Sequence, residues 1–333
     1  MLESSYMDIF LMILGGLGLF LYAITHLSET LKALLGNKAN KWLNYLASNL
    51  FTSILTGTII TVILDSSSAV IIMTIVLVNA NALTFRQSLG IVMGANIGTT
   101  FSSQLIAMDI GQYSPIPIFL GLIFSFFSTS EKISQTGRVV LYFGILFFGL
   151  YTMERAVEPL KDHPGFLAWM ATLDNPFKGS AIGALVTLVV QSSSATVGMA
   201  ITLAKKGLIN LSGGIAVMLG AELGTCSDTL LATIRSDRQA VKTGVFHLTF
   251  NMITIAIGLI LFPWFIAFIE TLSGKAGLEQ KIATAHMIFN TAGVLLFIPF
   301  IPIIERLLNR LIPNKNSREK TVPDVSGKIM KPA

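Results

Sequence analysis

Long apolar stretches separated by short polar segments make up most of the chain. They lie at about 9–27, 50–79, 89–108, 115–130, 138–153, 179–204, 212–234, 243–269 and 283–304. Most are long enough to cross the ~30 Å hydrocarbon core of a bilayer as a helix. Backbone groups in lipid must be hydrogen-bonded within their own segment. The pattern therefore predicts an all-α polytopic membrane protein.

Composition supports a lipid environment. Of the 333 residues, 53% are hydrophobic and 12% are charged, against about 25% charged in a soluble domain. Lys and Arg lie mainly between the apolar stretches, so the net charge of +5 reflects membrane topology rather than nucleic-acid binding. The single Cys226 excludes an intrachain disulfide and a thiolate metal cluster. The N-terminus lacks a basic region before its apolar stretch, so we expect a permanent first span.

The chain contains an internal repeat. With residue i aligned to i+126, Ser66–Ala69 falls on Ser192–Ala195, which has the same sequence, and Gly94–Thr99 falls on the similar Gly220–Thr225. No gap is needed between Gly57 and Ala107. Two polar motifs kept in order at one spacing indicate duplication rather than chance likeness between apolar helices.

Upstream of these motifs the offset becomes 129, where Glu29 meets Glu158 and Lys32 meets Lys161. We therefore assign residues 1–137 to a first transport repeat and 138–304 to a second repeat with a final span. Residues 305–333 are polar, with seven Lys/Arg and three Pro, which predicts a disordered cytoplasmic tail.

The two serine segments, 50–79 and 179–204, are apolar at both ends and polar in the middle. A continuous span would leave Asp65 at the bilayer centre, at a cost of at least about 2.5–3.5 kcal/mol if ionised. A re-entrant hairpin whose tip lines a protein cavity avoids that cost. The chain is then predicted to have about seven full spans plus two hairpins.

Loop charges favour this topology. With the N-terminus outside, the inner loops and the tail hold 16 Lys/Arg, among them Lys32, Lys38 and Arg235, and the outer loops hold 7. An excess of positive charge on the cytoplasmic side is the expected direction. The two repeats are then inverted, which is a recurring plan of secondary transporters.

The paired serine motifs are the first candidate for chemistry. Three consecutive hydroxyls at a helix break can donate to an oxyanion, and a half-helix N-terminus adds free N–H groups. Serine oxygens can equally ligate a hard cation such as sodium, and a buried polar kink is the structural alternative. Two symmetric copies favour a binding site. The substrate-binding candidates are Ser66, Ser67, Ser68, Gln191, Ser192, Ser193 and Ser194.

The second motif places polar residues within apolar spans. Its small residues allow close helix packing, but Asn96 and Glu222 favour a functional role. Glu222 and Asp65 are interpreted as the intramembrane carboxylates, and each meets an amide in the other repeat. A buried acid can neutralise a cation or take up a proton. The sodium-binding candidates are Asp65, Asn96, Thr99, Glu222 and Thr225.

A third pattern is His-x-x-Phe-Asn, at 247–251 and again at 286–290. His and Asn four residues apart share one helix face. No carboxylate or cysteine accompanies them on that face, so we predict packing and support of the central site by Asn251 and Asn290. Sodium is the only metal expected.

On these motifs the chain resembles the type II sodium–phosphate cotransporter family. The resemblance rests on Gln191–Thr196, Ser66–Ala69, Gly94–Thr100 and the two His-x-x-Phe-Asn segments, and it covers most of residues 10–305. It implies inverted repeats with re-entrant hairpins, and sodium-driven uptake of inorganic phosphate bound by the serine tips, with sodium nearby. It also implies the short bacterial form, without a C-terminal PhoU-like domain.

Two positions depart from the family pattern. Asp65 stands where the first motif usually has Gln, and Glu222 stands where the second usually has Asn. An ionised Asp65 at 4 Å from an anion is repelled by about 4 kcal/mol per unit charge at an effective dielectric of 20. We therefore expect Asp65 to bind sodium directly or to be protonated when the anion is bound. Another small anion, or proton coupling, is the alternative.

The sequence thus predicts a secondary active transporter of the plasma (inner) membrane, not an enzyme, that works by alternating access. No nucleotide-binding P-loop occurs in the sequence, so an ion gradient is the expected driving force. The expected partners are phosphate, sodium and membrane lipid, without nucleic acid; a homo-oligomer and a separate PhoU-like regulator are left open. One rival is an intramembrane serine hydrolase, but the chain has no Gly-x-Ser-x-Gly. The other is a non-transporting membrane sensor, disfavoured by the lack of a soluble domain.

Overall fold

The computed structural model of the chain describes residues 6–35, 41–43, 46–108, 110–234 and 236–313, which form helices and connecting loops without a β-strand. This confirms the all-α prediction. The α-helices are α1 (Tyr6–Leu35), α2 (Leu50–Leu64), α3 (Ser67–Asn79), α4 (Phe85–Ala107), α5 (Pro115–Phe127), α6 (Glu131–Val157), α7 (Pro164–Ala171), α8 (Pro176–Val190), α9 (Ser193–Lys205), α10 (Leu211–Gly224), α11 (Cys226–Ala232), α12 (Arg238–Ile260), α13 (Phe262–Ser273), α14 (Leu278–Phe297) and α15 (Ile301–Leu311).

Several helices have the length and composition of membrane spans. Five qualify in the described part of the chain: Met7–Leu34, Glu131–Asp162, Leu211–Ala232, Arg238–Ile260 and Leu278–Leu311. Large apolar side chains such as Phe127 and Trp264 are exposed on the surface, where they suit lipid rather than water. The prediction of a polytopic membrane protein is confirmed.

About seven full spans were predicted, and length and composition alone identify five to six among the described residues. A sixth span results only if α4 and the helix Gly111–Phe127 count as one, and these two helices are bent by 76° relative to each other. At 1.5 Å per residue, the 13 residues of α5 extend about 20 Å, which is too short to cross the bilayer alone. The stretches 89–108 and 115–130 therefore correspond to a bent helix pair that meets the length and composition of a span only when its two helices are taken together.

The helix bounds repeat with the 126-residue spacing of the sequence. Adding 126 to the bounds of α2 and α3 gives those of α8 and α9. In each pair the first helix ends at a residue with left-handed backbone dihedrals: Asp65 has φ 50° and ψ 34°, and Gln191 has φ 56° and ψ 32°. The repeat seen in sequence is thus a repeat of local structure. Re-entrance of the hairpins and inversion of the repeats remain predictions.

Glycines of the second motif bring helices of each repeat into close contact. A Cβ at Gly94 would collide with the carbonyl oxygen of Ile54, and one at Gly220 would collide with that of Ser180. In both cases the Cβ would meet backbone atoms, which cannot move aside as a flexible side chain could. The backbones of α2 and α4, and those of α8 and α10, are therefore in direct contact at these glycines. These glycines serve packing, as the structural reading of the motif proposed.

A separate helical layer is formed by α1, α5 and α6, with α6 packed against both α1 and α5. Gly16 and Gly149 lie at the crossing of α1 and α6, where a Cβ on Gly16 would be 2.7 Å from the Gly149 oxygen. Within the layer, α1 contacts α2 and α6 contacts α9, so each helix packs on a different helix of the serine hairpins. Buried Phe20 and Leu146 belong to the layer's own hydrophobic cluster.

Two expectations about local structure need correction. Lys32 was assigned to an inner loop but lies within α1, because the helix continues to Leu35. Residue 137 lies inside α6, and the division into two repeats at this point stays a prediction. The predicted disordered tail is helical at its start, because Ile301 and Leu308 of α15 are buried against the core. Lys38, Arg235 and residues 314–333 lie outside the described residues.

Candidate functional site

Both serine motifs line a single cavity of about 200 Å³. It holds all seven predicted substrate-binding residues together with residues from α1 and the start of α11. Its lining residues are Ile24, Thr25, Ser28, Glu29, Lys32, Asp65, Ser66, Ser67, Ser68, Gln191, Ser192, Ser193, Ser194 and Thr225. Positions 126 residues apart in sequence therefore meet at one place in the fold.

The local sequence explains why each motif forms a turn at this cavity. A left-handed residue ends the first helix, and the next serine caps the second: Ser66 Oγ accepts from the Ala69 N–H at 3.2 Å, and Ser192 Oγ from the Ala195 N–H at 3.1 Å. The first N–H groups of a helix have no acceptor within it and carry the positive end of its dipole. The helices α3 and α9 therefore both have their N-termini, with the serine hydroxyls, at the same cavity. This arrangement suits the binding of an oxyanion.

Asp65 lies between this polar cavity and an apolar one. Its carboxylate accepts a hydrogen bond from Ser102 Oγ of α4. It also lines a second cavity of about 160 Å³, whose other lining residues come mainly from α1, α4 and α6 and include Phe20, Phe101 and Phe143. A carboxylate with one hydrogen bond and apolar surroundings needs a cation or a proton to be stable there.

Two carboxylates that were not among the predicted site residues lie at or beside the serine cavity: Glu29 lines it, and Asp228 contacts Ser68. Ser68 Oγ donates to Asp228 Oδ2 at 3.0 Å, which places an acid directly behind the first serine turn. Asp228 and Ser102 are equivalent at the 126-residue offset. The signal was present in the sequence, because extending the comparison of acids to position 102 reveals a third position at which only one repeat carries an acid.

The predicted sodium ligands do not all meet. Asp65 and Thr225 line the serine cavity, whereas Asn96 and Glu222 belong to a buried polar network. In that network Asn96 Nδ2 donates to Asn251 Oδ1 at 2.6 Å, and Asn251 Nδ2 donates to the Glu222 backbone oxygen at 2.8 Å.

The Glu222 side chain is partnered by a histidine. Glu222 Oε1 lies 2.6 Å from His286 Nε2, and His286 Nδ1 lies 2.7 Å from Ser103 Oγ, with all three residues buried. Thr99 Oγ1 donates to the Ala95 oxygen at 3.0 Å, within its own helix. These contacts attach Glu222 to α14 and α4 rather than to the serine turns.

The His-x-x-Phe-Asn segments hold this network together. His247 Nδ1 lies 2.8 Å from Thr229 Oγ1, and Asn290 Nδ2 donates to the His286 oxygen at 3.2 Å. Asn251 contacts both copies of the second motif. Asn290 bonds to the backbone of its own helix, and the supporting roles of Asn251 and Asn290 stay predictions.

Comparisons with known proteins find one matching family. The family model described as Na+/Pi-cotransporter matches residues 19–155 and 165–297. The chain is 29% identical over 297 residues to the uncharacterized protein YqeW of Bacillus subtilis (strain 168), covering 89% of this chain and 96% of YqeW. No solved structure matches the chain.

Two other relatives are named for phosphate. The chain is 26% identical over 256 residues to YjbB of Escherichia coli (strain K12), whose name proposes inorganic phosphate export; the match covers 76% of this chain and 46% of YjbB. It is 28% identical over 161 residues to sodium-dependent phosphate transport protein 2A of Rattus norvegicus, covering 46% of this chain and 22% of that protein. The chain thus spans about half or less of these two relatives.

Proposed function

The chain belongs to the Na+/Pi-cotransporter family, and on this premise we propose that it couples the entry of sodium to the uptake of inorganic phosphate. The family is one of transporters and not of enzymes, so the serine motifs are not hydrolytic. Membership and the named relatives support phosphate as the transported anion. Sodium coupling, the direction of transport and the roles of individual residues are our proposals.

The meeting of both serine turns in one cavity carries this proposal. Phosphate binds between Ser66–Ser68 and Ser192–Ser194, with Gln191 as a neutral donor. The hydroxyls and the first N–H groups of α3 and α9 donate to its oxygens. Charge-assisted hydrogen bonds of this kind are about twice as strong as neutral ones.

Sodium binds before the anion. Asp65 lines the cavity, and Asp228 lies behind Ser68. Either carboxylate, if ionised and unpaired, repels phosphate by about 4 kcal/mol per unit charge at 4 Å and an effective dielectric of 20. Sodium held by Asp65, Asp228 and Thr225 removes that repulsion. Asn96, Thr99 and Glu222 contribute through the adjacent network, and the neutralised site then opens to the other side.

Net export is the second candidate, favoured by the name of the YjbB relative. The same cavity serves either direction, because a transporter follows the sum of its substrate gradients. An inward sodium gradient drives inward phosphate if both ions move together. Exchange against an ion that enters would drive phosphate out.

The decisive experiment measures phosphate flux in proteoliposomes. Radiolabelled phosphate uptake is followed with an inward sodium gradient and with choline in place of sodium. We expect uptake only with the gradient, and uptake that is equal in both conditions would eliminate sodium coupling. Loss of preloaded phosphate under the same gradient would favour export.

Serine variants test the site in the same assay. Ser67→Ala and Ser193→Ala should each abolish sodium-driven uptake while the protein still reaches the membrane. Ser125→Ala is the matched control, because Ser125 Oγ donates only to the Gly121 oxygen within α5. Wild-type uptake by both cavity variants would leave the serine turns as structural kinks.

A further inference from the structure

Helix α1 lines the serine cavity with a polar face that neither the motifs nor the repeat explains. Thr25, Ser28, Glu29 and Lys32 all line it. Their spacing of three, four and seven residues places them on one side of α1. This helix has the length and apolar composition of a membrane span, where polar residues are rare and mark a function by default.

Ser28 points to a ligand at this face. The residue is 7% exposed and lines the cavity, and its Oγ has no hydrogen-bond partner among the described residues. Leaving a buried hydroxyl unpaired costs about 1–3 kcal/mol. A ligand oxygen in the cavity would satisfy it.

Lys32 is the only basic residue among the described residues that line the cavity, where Asp65 and Glu29 are the acidic ones. One ammonium against two carboxylates leaves an excess of negative charge, which opposes the entry of an anion. The flexible stem of Lys32 carries a compact charge, which is the form in which lysine binds phosphate.

The equivalent residues of the second repeat have a different fate. Lys161 Nζ lies 3.2 Å from Glu158 Oε1, and Lys206 Nζ lies 2.8 Å from Glu158 Oε2. Lys205 and Lys206 also pair with Glu154, at 2.6 Å and 2.9 Å. This ion-pair cluster does not contribute to the serine cavity.

The first repeat lacks the lysines that hold such a cluster. At the 126-residue offset, Lys205 and Lys206 correspond to Asn79 and Ala80. Glu29 and Lys32 consequently have no matching partners at the end of α3, and they line the cavity near the start of that helix instead. The equivalent Glu and Lys therefore belong to an ion-pair cluster in the second repeat and line the binding cavity in the first.

We propose that Lys32 and Ser28 of α1 form a third phosphate-binding element, opposite the two serine turns. Lys32 supplies a fixed positive charge to the divalent oxyanion, Ser28 donates a hydrogen bond to it, and Glu29 one turn earlier positions the ammonium. The inference rests on the proposed phosphate site and adds to it a cationic residue that the serine motifs lack.

The test is direct binding of radiolabelled phosphate to purified protein in detergent with sodium. Lys32→Gln should weaken binding about tenfold or more, because a hydrogen bond to a charged group is lost. Lys32→Arg should restore most of the affinity. Ser28→Ala should weaken binding about threefold. Lys161→Gln is the matched control and should bind as wild type does.

The outcomes separate this inference from the proposed function. If the wild-type protein binds no phosphate in sodium, the proposed function fails. If it binds, and Lys32→Gln and Ser28→Ala bind equally tightly, only the third element fails; slower transport by Lys32→Gln with unchanged affinity would overturn it as well. Melting temperatures identify misfolded variants, and if Lys32→Gln does not fold, Ser28→Ala decides.

Discussion

The two serine turns have the same backbone and different charges. Both end a helix with a left-handed residue and cap the next helix with a serine, but that residue is Asp65 in the first turn and Gln191 in the second. At another pair of equivalent positions the acid is in the second repeat, because Ser102 of α4 corresponds to Asp228 of α11. The two repeats thus share the geometry of the turns and differ in where they carry an acid, and both acids lie at the first turn, since Asp228 accepts a hydrogen bond from Ser68.

This comparison suggests a division of roles. The shared features, hydroxyls and helix N-termini, suit the anion, which both turns can contact in the same way. The features that differ are carboxylates, which suit cations. We therefore expect variants of shared features to have matching effects in the two repeats, and variants of the acids to have unequal effects.

The largest effect should come from the shared glycines. Gly94→Ala and Gly220→Ala each place a methyl group against a backbone carbonyl. Overpacking of this kind costs about 3 kcal/mol or more where neither helix can move. Both variants should lose folded protein, measured by fluorescence-detected gel filtration and thermal melting. A Cβ at Gly15 would meet nothing within 4 Å, so Gly15→Ala serves as the control. Normal folding of only one of the variants Gly94→Ala and Gly220→Ala would contradict the structural equivalence of the two repeats.

The membrane topology of the two repeats can be tested by cysteine labelling, in which each site either reacts from a given side of the membrane or does not. Asn81 and Gly207 are equivalent turn residues with φ of 56° and 70°. In a Cys226→Ser background, Asn81→Cys and Gly207→Cys should react with an impermeant maleimide from opposite sides of the membrane if the repeats are inverted. Leu311→Cys reports the side of the C-terminal helix, which we expect to be cytoplasmic. Labelling of both turns from the same side would remove the inversion.

Removing the acid of the first turn should weaken sodium binding. Asp65→Gln gives both turns the same residue. Loss of a charged ligand should raise the sodium concentration that gives half-maximal phosphate binding about tenfold. Titration of phosphate binding against sodium measures it. Glu131→Gln, an exposed residue at the start of α6, should have no effect. Unchanged sodium dependence in Asp65→Gln would assign the cation elsewhere.

A smaller effect should couple Ser68 to Asp228. A double-mutant cycle with Ser68→Ala and Asp228→Asn isolates their 3.0 Å hydrogen bond, and a coupling energy of about 1–2 kcal/mol in sodium affinity is expected. The matched cycle uses Ser194→Ala with Asp228→Asn, since Ser194 is the equivalent serine. Equal coupling energies in both cycles would contradict a specific contact of Asp228 with Ser68.

The smallest effect concerns two buried threonines. Thr187 Oγ1 donates to Thr196 Oγ1 at 2.7 Å, whereas Thr61 Oγ1, its equivalent, has no partner among the described residues. Val70 stands where the second repeat has Thr196. Thr187→Val should therefore lower stability by about 1 kcal/mol, and Thr61→Val should leave it unchanged or raise it slightly. Equal melting shifts of the two variants would refute this difference.

Much of the fold could be predicted from local patterns. Apolar stretches predicted the helices, and paired polar motifs predicted where two of them break. The apolar stretches do not fix the number of spans, because a polar break between two of them does not show whether they form two spans or one bent pair. Lys32 was assigned to a loop for a similar reason, since a lysine near the end of an apolar stretch can stay on the helix.

Side-chain partners were less accessible to sequence analysis. Glu222 was grouped with Asp65 because both are acids in apolar surroundings, but its carboxylate contacts His286, 64 residues away. Ser68 and Asp228 are 160 residues apart. An almost uniformly apolar helix gives no signal of which face is inside, so the partner of each polar side chain remained open.

The sequence by itself determined the repeat, the helix breaks and the serine caps, because these depend on residues within a few positions of one another. Only the tertiary structure decided that both serine turns share one cavity, that α1 adds Ser28 and Lys32 to it, and that Asp228 lies behind it. The physical reason is that local hydrogen bonds and backbone dihedrals are set along the chain, whereas a binding cavity is made by helices whose order in space follows from close packing.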